Sequence, residues 1–172
     1  MRQKKPAVFF DRDGVLNSDH GYTYRQQEFE WMPGAIQTIR YFNDLGYLVF
    51  VITNQSGIAR GFYTEQDVHA LHAFMNQELT KNGSHIDEFY YCPHHPQGKI
   101  AQYSFSCDCR KPEPGMLRKV LKKWNIDIQR SLMIGDRISD IQAAEAVGIK
   151  GYLFDDANLY EFALKRVIGE IK

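Results

Sequence analysis

Short apolar runs alternate with longer amphipathic stretches along the chain. Ala7-Val8-Phe9-Phe10 has no polar break and stops at Asp11-Arg12-Asp13-Gly14, which predicts a buried strand followed by a turn. Pro33 and Gly34 introduce a stretch with apolar residues at Ile36, Ile39, Phe42 and Leu45, closed by Gly46, the spacing of an amphipathic helix. Tyr47 to Ile52 is a second continuous apolar run. Thr64 with Asp67 three residues later resembles a capping box and predicts a helix towards Lys81, with Gly83 past its end. Phe89-Tyr90-Tyr91 is a third strand candidate. A loop of Pro, His, Cys and Gly follows, and Pro114 suits the first turn of a helix to about Trp124. Leu132-Met133-Ile134, a helix near Ile138 to Val147, a strand at Tyr152 to Phe154 and a last helix from Asn158 complete the pattern.

Strands apolar on both faces and separated by helices predict a parallel sheet covered on both sides, hence an α/β fold. The polar residues fall at the strand ends: Asp11 and Asp13 after the first, Thr53 and Asn54 after the second, Asp136 after the fourth. Ligands bind beyond the carboxyl ends of such sheets, so these distant residues are expected to converge.

Composition narrows the partners. Lys plus Arg and Asp plus Glu balance at 21 each, which leaves no excess positive field for a nucleic acid or an anionic membrane. The basic stretch Met1 to Pro6 lacks the apolar region of a signal peptide, and no apolar run is long enough to span a bilayer. The expectation is a cytoplasmic monomer with a single domain over residues 1–172, acting on a small molecule.

The strand-end residues suit phosphoryl transfer. Asp11 can attack phosphorus as a covalent nucleophile, and Asp13, two residues on, can serve in turn as acid and base. Gly14 permits a tight turn and close approach of the backbone to an anion. Several carboxylates beside a phosphate require a cation, so Mg²⁺ is expected on Asp11, Asp136 and Asp13, the last through its main-chain carbonyl. Lys111, the Thr53 hydroxyl and the Asn54 amide are candidates for the phosphoryl oxygens. Each residue alone has an ordinary explanation as a turn former, strand-end cap or solvated charge. Their joint placement is what points to chemistry.

The three cysteines, Cys92, Cys107 and Cys109, cluster in one stretch with His94 and His95. An odd count argues against a disulfide framework. Cys92-Pro-His94 and Cys107-Asp-Cys109 offer two pairs spaced i, i+2, which face one side of an extended backbone. Three thiolates and an imidazole would close a tetrahedral structural Zn²⁺ site over about residues 92–109, with His95 as the competing nitrogen. Such a site would fix the loop that delivers Arg110 and Lys111.

FFDRDGVLN, VITNQSGIARG, CDCRKPEPGM and MIGDRISD resemble, in order, the four motifs of the haloacid dehalogenase (HAD) superfamily, and the zinc loop resembles its small capless branch. The resemblance implies a Rossmann-like sheet, Asp11 as nucleophile, Asp13 as acid/base, Thr53 and Lys111 as phosphoryl stabilisers and Asp136 as magnesium ligand. DHGY, TNQSGIARG, YYCPHHPQG and CDCRKPEPGML further resemble members acting on a heptose bisphosphate, with histidinol phosphate as the alternative substrate. On that resemblance Arg12, Asp19, His20, Gly21, Tyr22, Asn54, Gln55, Ser56, Arg110 and Arg137 are expected at the substrate, with Arg60 or Arg110 available for a second phosphate. Two departures stand out: Arg137 replaces a frequent Lys, and the chain after Asp155 is short. A zinc-binding interaction module with a degenerate site is the non-enzymatic alternative. The intact Asp11, Asp13, Lys111 and Asp136 speak against it.

Overall fold

The computed structural model describes residues 3–171; Met1 and Arg2 of the basic start lie outside the described residues. Five parallel strands form one sheet in the order β3-β2-β1-β4-β5. They are β1 (Ala7–Phe10), β2 (Leu48–Asn54), β3 (Glu88–Cys92), β4 (Leu132–Gly135) and β5 (Lys150–Leu153). The helices between and after them are α1 (Ala35–Asp44), α2 (Glu65–Lys81), α3 (Gly115–Lys123), α4 (Ile138–Glu145) and α5 (Leu159–Arg166). From β1 the chain builds outward through β2 and β3, then crosses back to add β4 and β5 on the other side. The point of reversal lies between β1 and β4, where ligand crevices form in such sheets.

Strand alternation divides the core. Val8 and Phe10 face α1, α2 and α5, whereas Ala7 and Phe9 face α3 and α4. All four β1 residues are fully buried, so this central strand carries no polar side chain. Phe9 stacks on Phe50 at 5.4 Å and Phe10 meets Phe42 edge-on at 6.3 Å.

The predicted elements form with small shifts at their ends. Thr64 and Asp67 make the full capping box of α2. Thr53 and Asn54 remain inside β2, because they pair with Tyr91 and Cys92 of β3. β5 starts and ends earlier than predicted, and Phe154 lies beyond it, packed edge-on against Phe162 of α5. Asn158 caps α5 by accepting from the amides of Tyr160 and Glu161. Between β1 and α1 the chain forms a loop with one 3-10 turn at Gln26–Glu28. None of the described helices is long and apolar enough to cross a membrane.

Candidate active site

Asp11 leaves β1 with its amide still bonded to the Ile134 carbonyl of β4, at 3.1 Å, so the nucleophile candidate is held at the point of reversal. The turn that follows depends on Gly14. Its φ is +86°, and a Cβ there would lie 2.2 Å from Asp136 Oδ2. Gly135 has a matching function: a Cβ there would meet Asp140 at 2.2 Å. Two glycines thus let two carboxylates close on Asp11.

Lys111 completes this group from the loop before α3. Its Nζ donates to Asp11 Oδ1 at 3.0 Å and to the Ile52 carbonyl at 2.7 Å, and it pairs with Asp140 Oδ1 at 2.6 Å. Asn54 fixes the lysine backbone from both sides, donating to its carbonyl at 3.2 Å and accepting from its amide at 3.0 Å. Against the burial that would lower it, the two carboxylates hold the Lys111 ammonium above its ordinary pKa. Burial pushes the Asp11 carboxyl up to about 8; Lys111 opposes this, while Asp140 and Asp13 add to it. Asp140 was not among the residues expected from sequence. Its amide-capping position in the first turn of α4, accepting from the Arg137 amide at 3.1 Å, gives it the look of an ordinary helix-start acid. Its spacing of four residues from Asp136 was the available signal.

Asp13 is oriented by three donors: Arg12 through Nε at 3.2 Å, Asn17 at 3.0 Å and Gln55 at 3.1 Å. Gln55 also donates to the Thr53 hydroxyl at 2.8 Å and accepts from Tyr63 at 2.5 Å. Arg12 corrects the expectation drawn for it. Its side chain is fully buried and bound to Asp13, the Thr23 carbonyl, Gln55 and His72, so it braces the site from behind instead of facing a substrate. Only donors exist on a guanidinium, so His72 Nε2 must accept from Arg12, which fixes that imidazole as neutral with its proton on Nδ1.

A cleft of about 340 Å³ opens over these groups. Asp11, Asp13, Asn54, Gln55 and Lys111 line its floor, and Asp19, Gly21, Tyr22, Ser56, Arg110 and Arg137 from the predicted set also border it. Ser139, Asp140 and Tyr63 are additional lining residues. Arg137 Nη2 lies 3.8 Å from Asp19 Oδ2. His20 is the exception in its segment. It is exposed and pairs with Glu30 at 3.3 Å, outside the cleft lining. Thr53 is buried beneath Gln55.

Two clusters have the donor chemistry of metal sites. Carboxylate oxygens of Asp11, Asp136 and Asp140 lie within 4.8 Å of one another. Asp136 Oδ1 is buried with no hydrogen-bond partner, and burial raises its carboxyl pKa. Three crowded carboxylates with an orphaned oxygen fit a hard divalent cation. The second cluster is Cys92, His94, Cys107 and Cys109. Cys92 ends β3, and His94 Nδ1 lies 3.3 Å from Cys109 Sγ and 3.6 Å from Cys92 Sγ. Four soft donors this close are compatible with zinc binding. His95 turns away and meets Arg60 Nη2 at 3.3 Å, which leaves His94 as the nitrogen of the cluster.

Residues 108–158 match the family model described as HAD-hydrolase-like. The chain is 45% identical over 169 residues to a D-glycero-beta-D-manno-heptose-1,7-bisphosphate 7-phosphatase of Rhodopseudomonas palustris, covering 98% of this chain and 93% of that protein. It is also 45% identical over 149 residues to the protein of the same name from Yersinia pestis, covering 87% and 79%. A solved D,D-heptose 1,7-bisphosphate phosphatase from B. bronchiseptica, complexed with magnesium and phosphate, superposes with a TM-score of 0.78 at 31% identity over 94% of this chain and 86% of that one. A HAD-like phosphatase from Mesorhizobium loti superposes with a TM-score of 0.84 at 35% identity, over 90% and 75%.

Proposed function

The chain belongs to the heptose 1,7-bisphosphate 7-phosphatases of the HAD superfamily, and from that membership we propose that it removes the 7-phosphate of D-glycero-D-manno-heptose 1,7-bisphosphate through a phosphorylated Asp11. The reaction belongs to the synthesis of activated heptose for bacterial surface polysaccharide, carried out in the cytoplasm by a monomer of one domain. The observation that carries this reading is the convergence of Asp11, Lys111, Asp136 and Asp140 at the junction of β1 and β4.

Asp11 forms the new bond to phosphorus as the bond from phosphorus to the sugar oxygen breaks. Asp13, held by Arg12, Asn17 and Gln55, gives its proton to that oxygen. In the second displacement Asp13 takes a proton from water, which attacks phosphorus and releases Asp11. Lys111 offsets charge on the equatorial oxygens, and the Thr53 hydroxyl, which accepts from Gln55, retains a proton to donate to them. Burial, with Asp140 and Asp13, favours a protonated Asp11 even against Lys111; the charge of a cation held beside it would favour the anionic nucleophile. Magnesium held by Asp11, Asp136, Asp140 and the Asp13 carbonyl would supply the positive charge that lets these carboxylates face a phosphate. Zinc held by Cys92, His94, Cys107 and Cys109 would be structural, its coordination shell closed. Asp19, Gly21, Tyr22, Asn54, Gln55, Ser56, Arg110 and Arg137 border the space for the sugar and its second phosphate.

Phosphate release from heptose 1,7-bisphosphate and from histidinol phosphate, compared in the presence of magnesium, tests the reading. Preference for the heptose that disappears in Asp11→Asn is expected. Preference for histidinol phosphate would keep the chemistry and overturn the substrate. Turnover of neither would return the chain to a zinc-binding interaction module.

A further inference from the structure

The cleft is polar throughout its floor, yet one large exposed aromatic ring stands in its lining and a second exposed ring stands against the first. Tyr22 lines the cleft and is 44% exposed; Phe62 is 49% exposed. Their rings meet edge to face, with centroids 4.8 Å apart. Tyr22 has a φ of +53°, in the left-handed region that side chains other than glycine and asparagine seldom occupy, and it follows Gly21 at +81°. A backbone strained at a cleft is retained where the side chain it aims has work to do.

Phe62 has the firmer mount. The Arg60 amide donates to the Ser56 carbonyl at 3.0 Å, Gly61 to Ile58 at 3.1 Å and Phe62 to Gly57 at 2.9 Å, which winds residues 56–62 into a tight hydrogen-bonded turn at the end of β2. Beneath it Tyr63 is buried, stacked on Tyr24 at 5.0 Å. Tyr22 therefore leans on a rigid support from a neighbouring loop.

We propose that Phe62 is a positioning residue that holds the Tyr22 ring as an aromatic wall against the C–H face of a sugar. The proposal rests on the sugar-phosphate reading above and adds to it the residue that sets sugar preference. The charged floor recognises the phosphate end of any phosphate monoester. Tyr22 is the exposed ring in the lining, and a ring binds the apolar face of a carbohydrate where a charge does not. Among the described residues no further domain covers the strand ends, and this pair supplies apolar cover for the part of the substrate that projects from the cleft.

The test compares KM and kcat for heptose 1,7-bisphosphate and glycerol 2-phosphate in wild type, Phe62→Ala, Phe62→Leu and Tyr22→Gly. An aromatic contact of ordinary strength corresponds to about a three- to tenfold change in affinity. Phe62→Ala is expected to raise the ratio of the heptose KM to the glycerol 2-phosphate KM by that factor with kcat on the heptose within about twofold, and Phe62→Leu to recover part of it. Tyr22→Gly is expected to raise the same ratio without lowering Tm, because glycine relieves the left-handed backbone. An unchanged ratio in Phe62→Ala overturns the proposal, as does a rise for both substrates alike. Wild type that does not prefer the heptose to glycerol 2-phosphate overturns it by another route, because the sugar reading itself then fails.

Discussion

At the scale of single residues, the site is built on close approaches that no propensity describes. Gly14 is required twice, by its positive φ and by the carboxylate of Asp136 that would lie 2.2 Å from a Cβ. Gly14→Ala is expected to cut turnover by at least about 100-fold, since displacement of a reacting group by an ångström costs that much. It should also weaken magnesium binding, read by titrating activity with the metal. His72 gives the protein a sensitivity to acid. Burial first, and the Arg12 guanidinium second, hold its pKa well below the ordinary 6.5. Below that value the unfolded chain takes up a proton that the folded one does not, so stability falls with pH, by at most about 1.4 kcal/mol per pH unit for this one group. His72→Gln keeps an acceptor for Arg12 without a titration, and its Tm is expected to fall less than that of wild type between pH 6.5 and 5. Equal slopes would remove His72 as the cause. Asp11, Asp13, Lys111 and Asp136 were legible in sequence because they end apolar runs or follow a cysteine pair. Arg12 and Asp140 were misjudged or missed. Sequence shows that a charge is present, and only packing shows whether it faces a cleft or a buried partner.

At the scale of elements, the alternation of apolar runs and amphipathic stretches was enough to locate all five strands and five helices. Their ends were less legible. Thr53 and Asn54 look like a polar turn, but pairing with β3 keeps them extended and brings Asn54 to the backbone of Lys111. The start of α2 was the sharpest local signal, because Thr64 and Asp67 satisfy each other's backbone amides. Thr64→Ala removes one half of that exchange and is expected to cost about 1 kcal/mol, measured by urea denaturation. Because α2 also carries His72, a larger loss would mean that the cap orders more of the helix than its first turn.

For the whole molecule, the loop of the cysteine cluster also carries the lysine that pairs with the carboxylate cluster. Cys109 stands two residues before Lys111, and Cys92 ends the strand that pairs with Asn54. Chelation of the zinc proposed for the cysteine cluster, with magnesium restored afterwards, is expected to lower kcat by about tenfold or more as Lys111 loses its placement against Asp11. It should also lower Tm, and both should recover with added zinc. Unchanged turnover in a metal-stripped protein would separate the loop from catalysis. The sequence order of strands was legible, but their spatial order was not, since the return from β3 to β4 beside β1 depends on which apolar faces fit together.

That return has a bearing on how the chain comes into being. β1 emerges first from the ribosome and can pair with β2 early, yet its other side waits for Leu132 to Ile134. Until then the wholly apolar strand presents an open edge, the kind of template on which nascent chains stick to one another. Asp11 also waits 100 residues for Lys111. Synthesis therefore passes through a vulnerable interval that ends when β4 closes the edge, and the proposed catalytic centre is complete only after Asp136 and Asp140 have followed Lys111.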